Sequence, residues 1–372
     1  MISMIKKNAF AASVSVVAMF ASTATMAQTD LNALYEAAKA EGQLTVIALP
    51  HTWCGYGSVI EAFKAKYPGI TINELNPDAG SADELEAIRA NKGNTGPQAP
   101  DVVDIGLSFG PAAKEEGLLQ AYKVSTWDEI PDEAKDADGF WYGDYYGVMA
   151  FGINKDVITG DNPASWADLL KPEYANSVAL AGKPKTDNNA IVAVYASGIA
   201  SGADSAGAAA AGLEFFKKLN DAKNFVPVDA EAAPIAQGTT PIAINWDYNL
   251  LAQRDGMNGN PPVDVIVPSD AVVAGIYIQA ISAHAPHPNA AKLWMEYLYS
   301  DEGQLGWLAG YCHPIRFNTM SAAGKIPAEL LEKLPDAANY AKALFPSIDE
   351  QNAAKQVITT QWDTVVGADV QG

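Results

Sequence analysis

Apolar positions along this chain repeat with two periods, and the two alternate. Leu31, Leu34, Tyr35 and Ala38 fall at helical spacing, with Gly42 as a stop. Leu44–Leu49 is then a short apolar run of strand length. Val59, Ile60, Phe63 and Tyr67 form the inner face of a second helix that opens at Ser58 and ends at Pro68-Gly69, and Ile70–Leu75 is the next strand. Strand, helix, strand is the parallel-sheet unit. The pattern continues with a helix over Asp83–Asn91, a strand at Val102–Ile105, a helix from Pro111 to Gly117 and a strand at Val148–Ile153. Later come a short helix at Ser165–Leu170, a strand at Val178–Ala181, helices at Ala190–Ala200 and Ala203–Asn220, and a buried strand at Pro241–Ile244. A helix over Asn249–Asp255, strands at Val263–Val267 and Ile276–Ser282, and an amphipathic helix opening at His287-Pro288 follow. The tail from Pro327 to Val366 alternates helical segments with Pro breaks. The class is α/β, and no internal repeat is present.

The first residues read differently. Lys6-Lys7, an apolar run over Ala9–Ala21 and the small residues Ala24-Thr25-Met26-Ala27 have the form of an export signal cleaved after Ala27. No later stretch offers about 18 uncharged apolar residues, so the mature chain is expected to be soluble. Removing residues 1–27 takes two lysines from a chain of formal charge −20, with 24 basic and 44 acidic residues, leaving 22 − 44 = −22. So acidic a surface argues against nucleic acid as a partner, because phosphates need a basic face. About 345 residues suffice for two domains. The two cysteines, Cys54 and Cys312, suggest one disulfide in an oxidising compartment, against the alternative of two unpaired buried thiols.

Chemistry concentrates at the ends of strands, where ligands gather in open α/β sheets. Trp246-Asp247-Tyr248 closes the Pro241–Ile244 strand. Two rings and a carboxylate suit a small polar ligand with a positive group, since a ring face attracts a cation by about 0.5–2 kcal/mol. Asp247 as a plain helix cap is the competing reading. Lys185-Thr186-Asp187-Asn188 opens the Ala190–Ala200 helix, whose first-turn amides would face a ligand, with Thr186 or Asp187 as the N-cap. Gly106-Leu107-Ser108-Phe109-Gly110 fits the Gly-x-Ser-x-Gly elbow of serine hydrolases, with Asp247 and then His284 or His313 in the required order. Pro111 follows the motif at once and no His-Gly-Gly loop precedes it, so a ligand-binding hydroxyl is preferred. His284-Ala285-Pro286-His287 is read as a surface turn, not a metal site.

Several segments in sequence carry a resemblance. They are Asp30–Ala38 with Gly42-Gln43-Leu44-Thr45-Val46, Val59–Phe63 with Tyr67-Pro68-Gly69-Ile70, and Pro100-Asp101-Val102-Val103-Asp104. Tyr145–Val148 through Asn154-Lys155-Asp156, Ile281-Ser282 with Pro288–Leu293, and Ser300–Gln304 complete the set. In order and spacing the chain resembles the periplasmic solute-binding proteins of ATP-driven importers (extracellular solute-binding family 1), in the branch of polyamine, ferric-iron, thiamine and phosphonate binders.

The resemblance implies a type II two-lobed α/β fold with a ligand cleft between lobes joined by hinge strands. Lobe 1 would hold residues 28–148 and 275–321, and lobe 2 residues 149–274 and 322–372. It implies a cleft lined by Trp53, Tyr56, Ser108, Phe109, Lys185, Thr186, Asp187, Asn188, Trp246, Asp247, Tyr277 and Tyr311. It also makes Cys54 and Cys312 neighbours at one rim, which favours their disulfide. The polyamine branch places an acid on the return strand, where Gly275-Ile276-Tyr277-Ile278-Gln279 has none, so a shorter ligand is expected. The iron branch uses adjacent tyrosines in lobe 2, and Tyr145-Tyr146 falls on the crossing instead.

The expectation is therefore a non-enzymatic, monomeric periplasmic receptor without metal or cofactor. It would capture a small amine, polyamine or amino-acid-like solute for the permease of an ABC importer. Trp246, Trp53, Tyr56 and Phe109 would stack on the ligand, Asp247 and Asp187 would pair with its positive group, and Lys185, Thr186 and Ser108 would hold a polar end. An anion, phosphonate or ferric-complex receptor is the first alternative, and a secreted serine hydrolase the second.

Overall fold

The computed structural model describes residues 30–335, 340 and 342–371. The export signal expected over residues 1–27 lies outside the described residues. Among the described residues ten strands follow in chain order: β1 (Gln43–Ile47), β2 (Thr71–Leu75), β3 (Val102–Gly106), β4 (Leu119–Gln120), β5 (Tyr142–Asn154), β6 (Val178–Leu180), β7 (Ile242–Trp246), β8 (Val263–Ile266), β9 (Ala274–Ser282) and β10 (His313–Pro314).

β1 and β2 pair in parallel, as the strand–helix–strand pattern requires. β3 runs beside β1, tied by the Asp101 amide to the Thr45 carbonyl at 2.8 Å, and pairs antiparallel with β9. β5 is the strand that joins the two halves. Its residues Tyr142–Val148 pair with β9. Its residues Met149–Ile153 pair with β7, and Phe151–Asn154 with β8 on the other edge. β6 then extends the sheet in parallel with β7. One lobe is built on β1, β2, β3 and β9, the other on β6, β7 and β8, and β5 runs through both.

Sequence patterning fixed the apolar end of β5 but not its length. The first half, Tyr142-Gly143-Asp144-Tyr145-Tyr146-Gly147, has no apolar alternation, yet all of it but Tyr146 is buried. Its inward polar groups bond to neighbouring elements: the Tyr145 hydroxyl donates to Asp104 of β3, and Asp144 accepts from Gln279 of β9. The Ser165–Leu170 helix is two 3₁₀ turns, Ala167–Leu170 and Pro172–Tyr174. The Ala-rich helix starts at Ala208, five residues after the expected Ala203. The helix after β7 begins at Asp247 with no intervening loop.

A second link between the halves is Leu344, whose amide donates to Val272 and whose carbonyl accepts from Ala274. It leads into the C-terminal helix Ile348–Val365, capped by Ser347 and Glu350 in a reciprocal capping box. That helix packs on Asn188–Ala200 and Ala208–Asp221, with Trp362 against Phe216 and Phe225. Among the described residues no helix is long and apolar enough to cross a membrane.

Candidate functional site

Between the lobes lies a cleft of about 880 Å³. The strand-end loops supply its walls. Trp53 comes from the loop after β1, Asp78 to Glu84 from the loop after β2 and the start of the helix Ser81–Ala90, and Asp104 from β3 itself. Opposite stand Lys183 and Thr186–Asn189 before the helix Asn188–Ala200, then Asp229 and Glu231, then Asn245 and Asn249 around the end of β7. Tyr277 of β9 lies at the base.

The charge of this lining is one-sided. Asp78, Asp83, Glu84, Asp104, Asp187, Asp229 and Glu231 face Lys183, the single cation among the described lining residues. Burial raises the Asp187 and Asp229 carboxyls above their ordinary range. Burial, then Asp229, Asp78 and Asp187, push Glu231 up to about 7. Burial, then the neighbouring Asp104, hold Glu84 well above the carboxylate range. These shifts have one leading cause, burial away from water, which among the described lining residues a single lysine does not offset.

Asp104 is the most constrained of them. Its Oδ2 accepts from the hydroxyls of Tyr145 at 2.6 Å and Tyr56 at 2.8 Å, while its amide donates to Glu84 at 2.9 Å. Its buried Oδ1 has no donor among the described residues, a carboxyl–carboxyl hydrogen bond links the group to Asp144, and burial pushes the carboxyl up to about 7. An unmet buried acceptor costs about 1–3 kcal/mol, and more if charged, so this carboxyl, which lines the cleft, gains from a cationic donor. Both amide atoms of Asn188 also lack partners. Beside Asp104 stand two rings. Trp53 donates its indole N–H to the Tyr145 hydroxyl at 2.7 Å and meets Tyr277 edge-on at 5.4 Å between centroids.

Of the expected site residues, Trp53, Thr186, Asp187, Asn188 and Tyr277 come together along the cleft. Asp187 stands at the N-cap position, but its carboxylate accepts from the Lys183 amide at 2.7 Å and does not cap the helix. The other seven are corrections. Trp246 is 0% exposed, its ring over Gly275, where an added Cβ would sit 2.2 Å from Trp246 Cη2. Asp247 is also 0% exposed, and accepts from the Val148 amide at 3.0 Å and the Tyr340 hydroxyl. It ties the end of β7 to both crossing segments and does not reach the cleft. Tyr56 is buried behind Asp104 and orients it. Ser108 and Phe109 are buried under Lys355 of the C-terminal helix, which donates to the Ser108 carbonyl at 2.8 Å and sits 3.8 Å over the Phe109 ring. Lys185 turns away to Asp363 at 3.0 Å. Tyr311 hydrogen-bonds Asp255 at the surface.

Cys54 and Cys312 are bonded to one another, with Cα atoms 5.4 Å apart. The hydrolase constellation does not assemble. Asp247 is bonded at the crossing, and His313 stacks on Tyr146, neither with Ser108. Among the described residues no three His, Cys, Asp or Glu side chains group to hold a metal.

Sequence reasoning missed Asp104, Glu84, Asp229 and Glu231. The signal was slight: Asp104 is one polar residue in an apolar strand, and Glu84 one acid in an acidic helix start.

Two α/β lobes around one polar cleft define a solute receptor. Residues 98–350 match the family of bacterial extracellular solute-binding proteins, and the chain belongs to that family. The spermidine/putrescine-binding periplasmic protein of Salmonella typhimurium is 27% identical over 267 residues, 68% of this chain and 69% of that one. Among solved structures, the periplasmic binding protein AfuA from Actinobacillus pleuropneumoniae, with fructose-6-phosphate bound, superposes with a TM-score of 0.67 at 20% identity, over 88% of this chain and 99% of its own. A putative spermidine/putrescine ABC transporter from Listeria monocytogenes does so with a TM-score of 0.64 at 14% identity, over 87% and 99%. These two likenesses establish the fold alone. The chain is the periplasmic substrate-binding component of an ABC transporter, a small-molecule receptor that works with membrane subunits, and not an enzyme.

Proposed function

We propose that the cleft captures a short linear polyamine of the putrescine or spermidine class. The observation that carries this reading is seven carboxyls facing one lysine, with Asp104, Trp53 and Tyr277 lining the same cleft. One ammonium pairs with the Asp104 carboxyl and lies against Trp53 and Tyr277. A second is held by Asp187, Asp229 and Glu231. The return strand carries no acid, which argued against a long polyamine. Asp104, however, pairs directly across from Gln279 of that strand, so the neighbouring strand supplies a carboxylate at the same level. A relative named for spermidine and putrescine supports the same class. An anionic ligand is disfavoured, because Lys185 is engaged outside the cleft and Lys183 stands alone among acids.

The finer organisation belongs to the same reading. Residues 1–27 act as the export signal, so the periplasmic protein starts at Gln28, which N-terminal sequencing of exported protein checks. The lobes divide at 148/149, 274/275 and 321/322, supported by the change of β5 partners after Val148. The receptor is a monomer that does not bind nucleic acid.

A thermal-shift screen tests the ligand class. Putrescine or spermidine at 100 times its dissociation constant adds about 2.7 kcal/mol, a rise of several degrees. Asp104→Asn should abolish the rise while leaving the fold intact. A shift with sugar phosphates or phosphonates and none with amines would overturn the reading.

A further inference from the structure

Behind Asp104 lies a second carboxyl that the cleft does not expose. Asp144 on β5 is completely buried. Its Oδ1 accepts from the Tyr145 amide at 2.7 Å, and its Oδ2 from Gln279 Nε2 at 3.1 Å. Gln279 Nε2 also donates to the Tyr56 hydroxyl at 2.8 Å, which in turn donates to Asp104. Asp104 and Asp144 thus share Tyr145 directly and are linked again through Gln279 and Tyr56.

Among the described residues, the groups facing this pair offer no positive charge. The helix Tyr56–Lys66 presents Tyr56, β5 presents Tyr145, and β9 presents Tyr277. Tyr248 and Tyr299 complete the phenols around it. The helix Ser81–Ala90 presents Glu84 and, further out, Asp83; the next helix start presents Asp187 across the cleft. Each phenol is held protonated by burial. Taking two unpaired carboxylates together out of water costs several kcal/mol per ion, so the pair titrates as a unit and keeps one proton. Burial, then Asp104, hold the Asp144 carboxyl well above the carboxylate range.

We propose that capture of a cationic ligand is coupled to release of one proton from the Asp104–Asp144 pair. This rests on the amine reading of the cleft. In the empty receptor one carboxyl is neutral. A ligand ammonium arriving at Asp104, which lines the cleft, supplies the missing positive charge, the pair ionises, and the proton it shared leaves to solvent. The ammonium keeps its own protons, so charge and atoms balance: one cation enters and one proton leaves. Asp144, which touches no ligand, is a positioning residue that sets the pH at which Asp104 is ready.

Calorimetry of putrescine binding to the full exported chain, at one pH near neutrality, tests this in buffers of different ionisation enthalpy. The observed heat should vary with the buffer with a slope of about one proton released, and affinity should fall about tenfold per pH unit on acidification where the pair holds its proton. Asp144→Asn, close in shape, should bind putrescine with a slope near zero and a flatter pH profile. Infrared spectra of the ligand-free protein provide a second readout that needs no variant. A neutral-carboxyl stretch should be present below neutrality and lose intensity on adding putrescine. Binding with buffer-independent heat, or no such band in the ligand-free protein, overturns the coupling and leaves the amine reading standing. No heat and no thermal shift with any amine overturns both.

Discussion

Trp246 and Trp53 show how burial assigns roles to like residues. Trp246 lies over Gly275, and Tyr248 over Gly147, where an added Cβ would sit 2.4 Å from the Tyr248 ring. These two glycines face each other across β5 and β9. They form a floor without side chains, and both rings fill it. Trp53 stays half-buried at the cleft. Trp53→Ala should weaken amine binding by about 2- to 30-fold, the worth of one cation–ring contact of about 0.5–2 kcal/mol, with little change in denaturant midpoint. Asp247 holds the Val148 amide and the Tyr340 hydroxyl. Asp247→Ala should therefore cost about 1–3 kcal/mol of stability in urea unfolding, with the same amine still selected in a thermal-shift panel.

At the scale of elements, the decisive contact is the start of the helix Asn188–Ala200 against the opposite lobe. A Cβ on Gly80 would lie 2.0 Å from Asp187 Oδ1, and one on Gly106 would lie 2.2 Å from Asn188 Cγ and 2.7 Å from its Cβ. Glycine at both places lets the helix start seat against the loop before Ser81 and the end of β3. Closure of two lobes on a ligand needs such an approach. Gly106→Ala should hold the lobes apart. Small-angle scattering with putrescine should then fail to show compaction, and affinity should fall more than about tenfold, or 1.4 kcal/mol, while the ligand-free melting temperature changes little. Full compaction in the variant would show that the approach is not limiting.

For the whole molecule, the buried acids set an unusual pH dependence. Asp104 and Glu231 are raised to about 7 and Asp247 to about 6. A carboxyl raised in the folded state binds its proton more tightly there than in the unfolded chain. Its contribution to stability is fully present below the unfolded value and is lost as pH rises through the folded one. The ligand-free protein should therefore melt at higher temperature near pH 5.5 than near pH 8 (about 5.5 and about 8, spanning these shifts). Glu116 acts oppositely, since its hydrogen bond to Arg89 lowers it, and its smaller contribution is lost only in stronger acid. A melting series across this range checks the sign, and an amine should flatten it. The Cys54–Cys312 bond spans a sequence separation of 258. Its reduction should cost about 2–4 kcal/mol through the larger freedom of the unfolded chain, read as a lower urea midpoint with reductant.

Much of the fold was legible because helices and strands bury one face, and burial writes a period into the sequence. Val59, Ile60 and Phe63, or Leu293, Trp294, Tyr297 and Leu298, can serve only as inner faces. The cleft loops were legible in part for the same reason: Trp53, Asp187 and Tyr277 stand where strands end or a helix begins. The sequence by itself determined an α/β chain of alternating elements and a strongly acidic composition. Only the tertiary structure decided which acids face one another. Asp104, Asp144 and Glu84 lie 40 and 20 residues apart in the chain (144 − 104 and 104 − 84), and no local pattern distinguishes them from solvated carboxylates. Their chemistry arises when β3, β5 and the helix Ser81–Ala90 exclude water from a shared space, and desolvation depends on what surrounds a group, not on its neighbours in sequence.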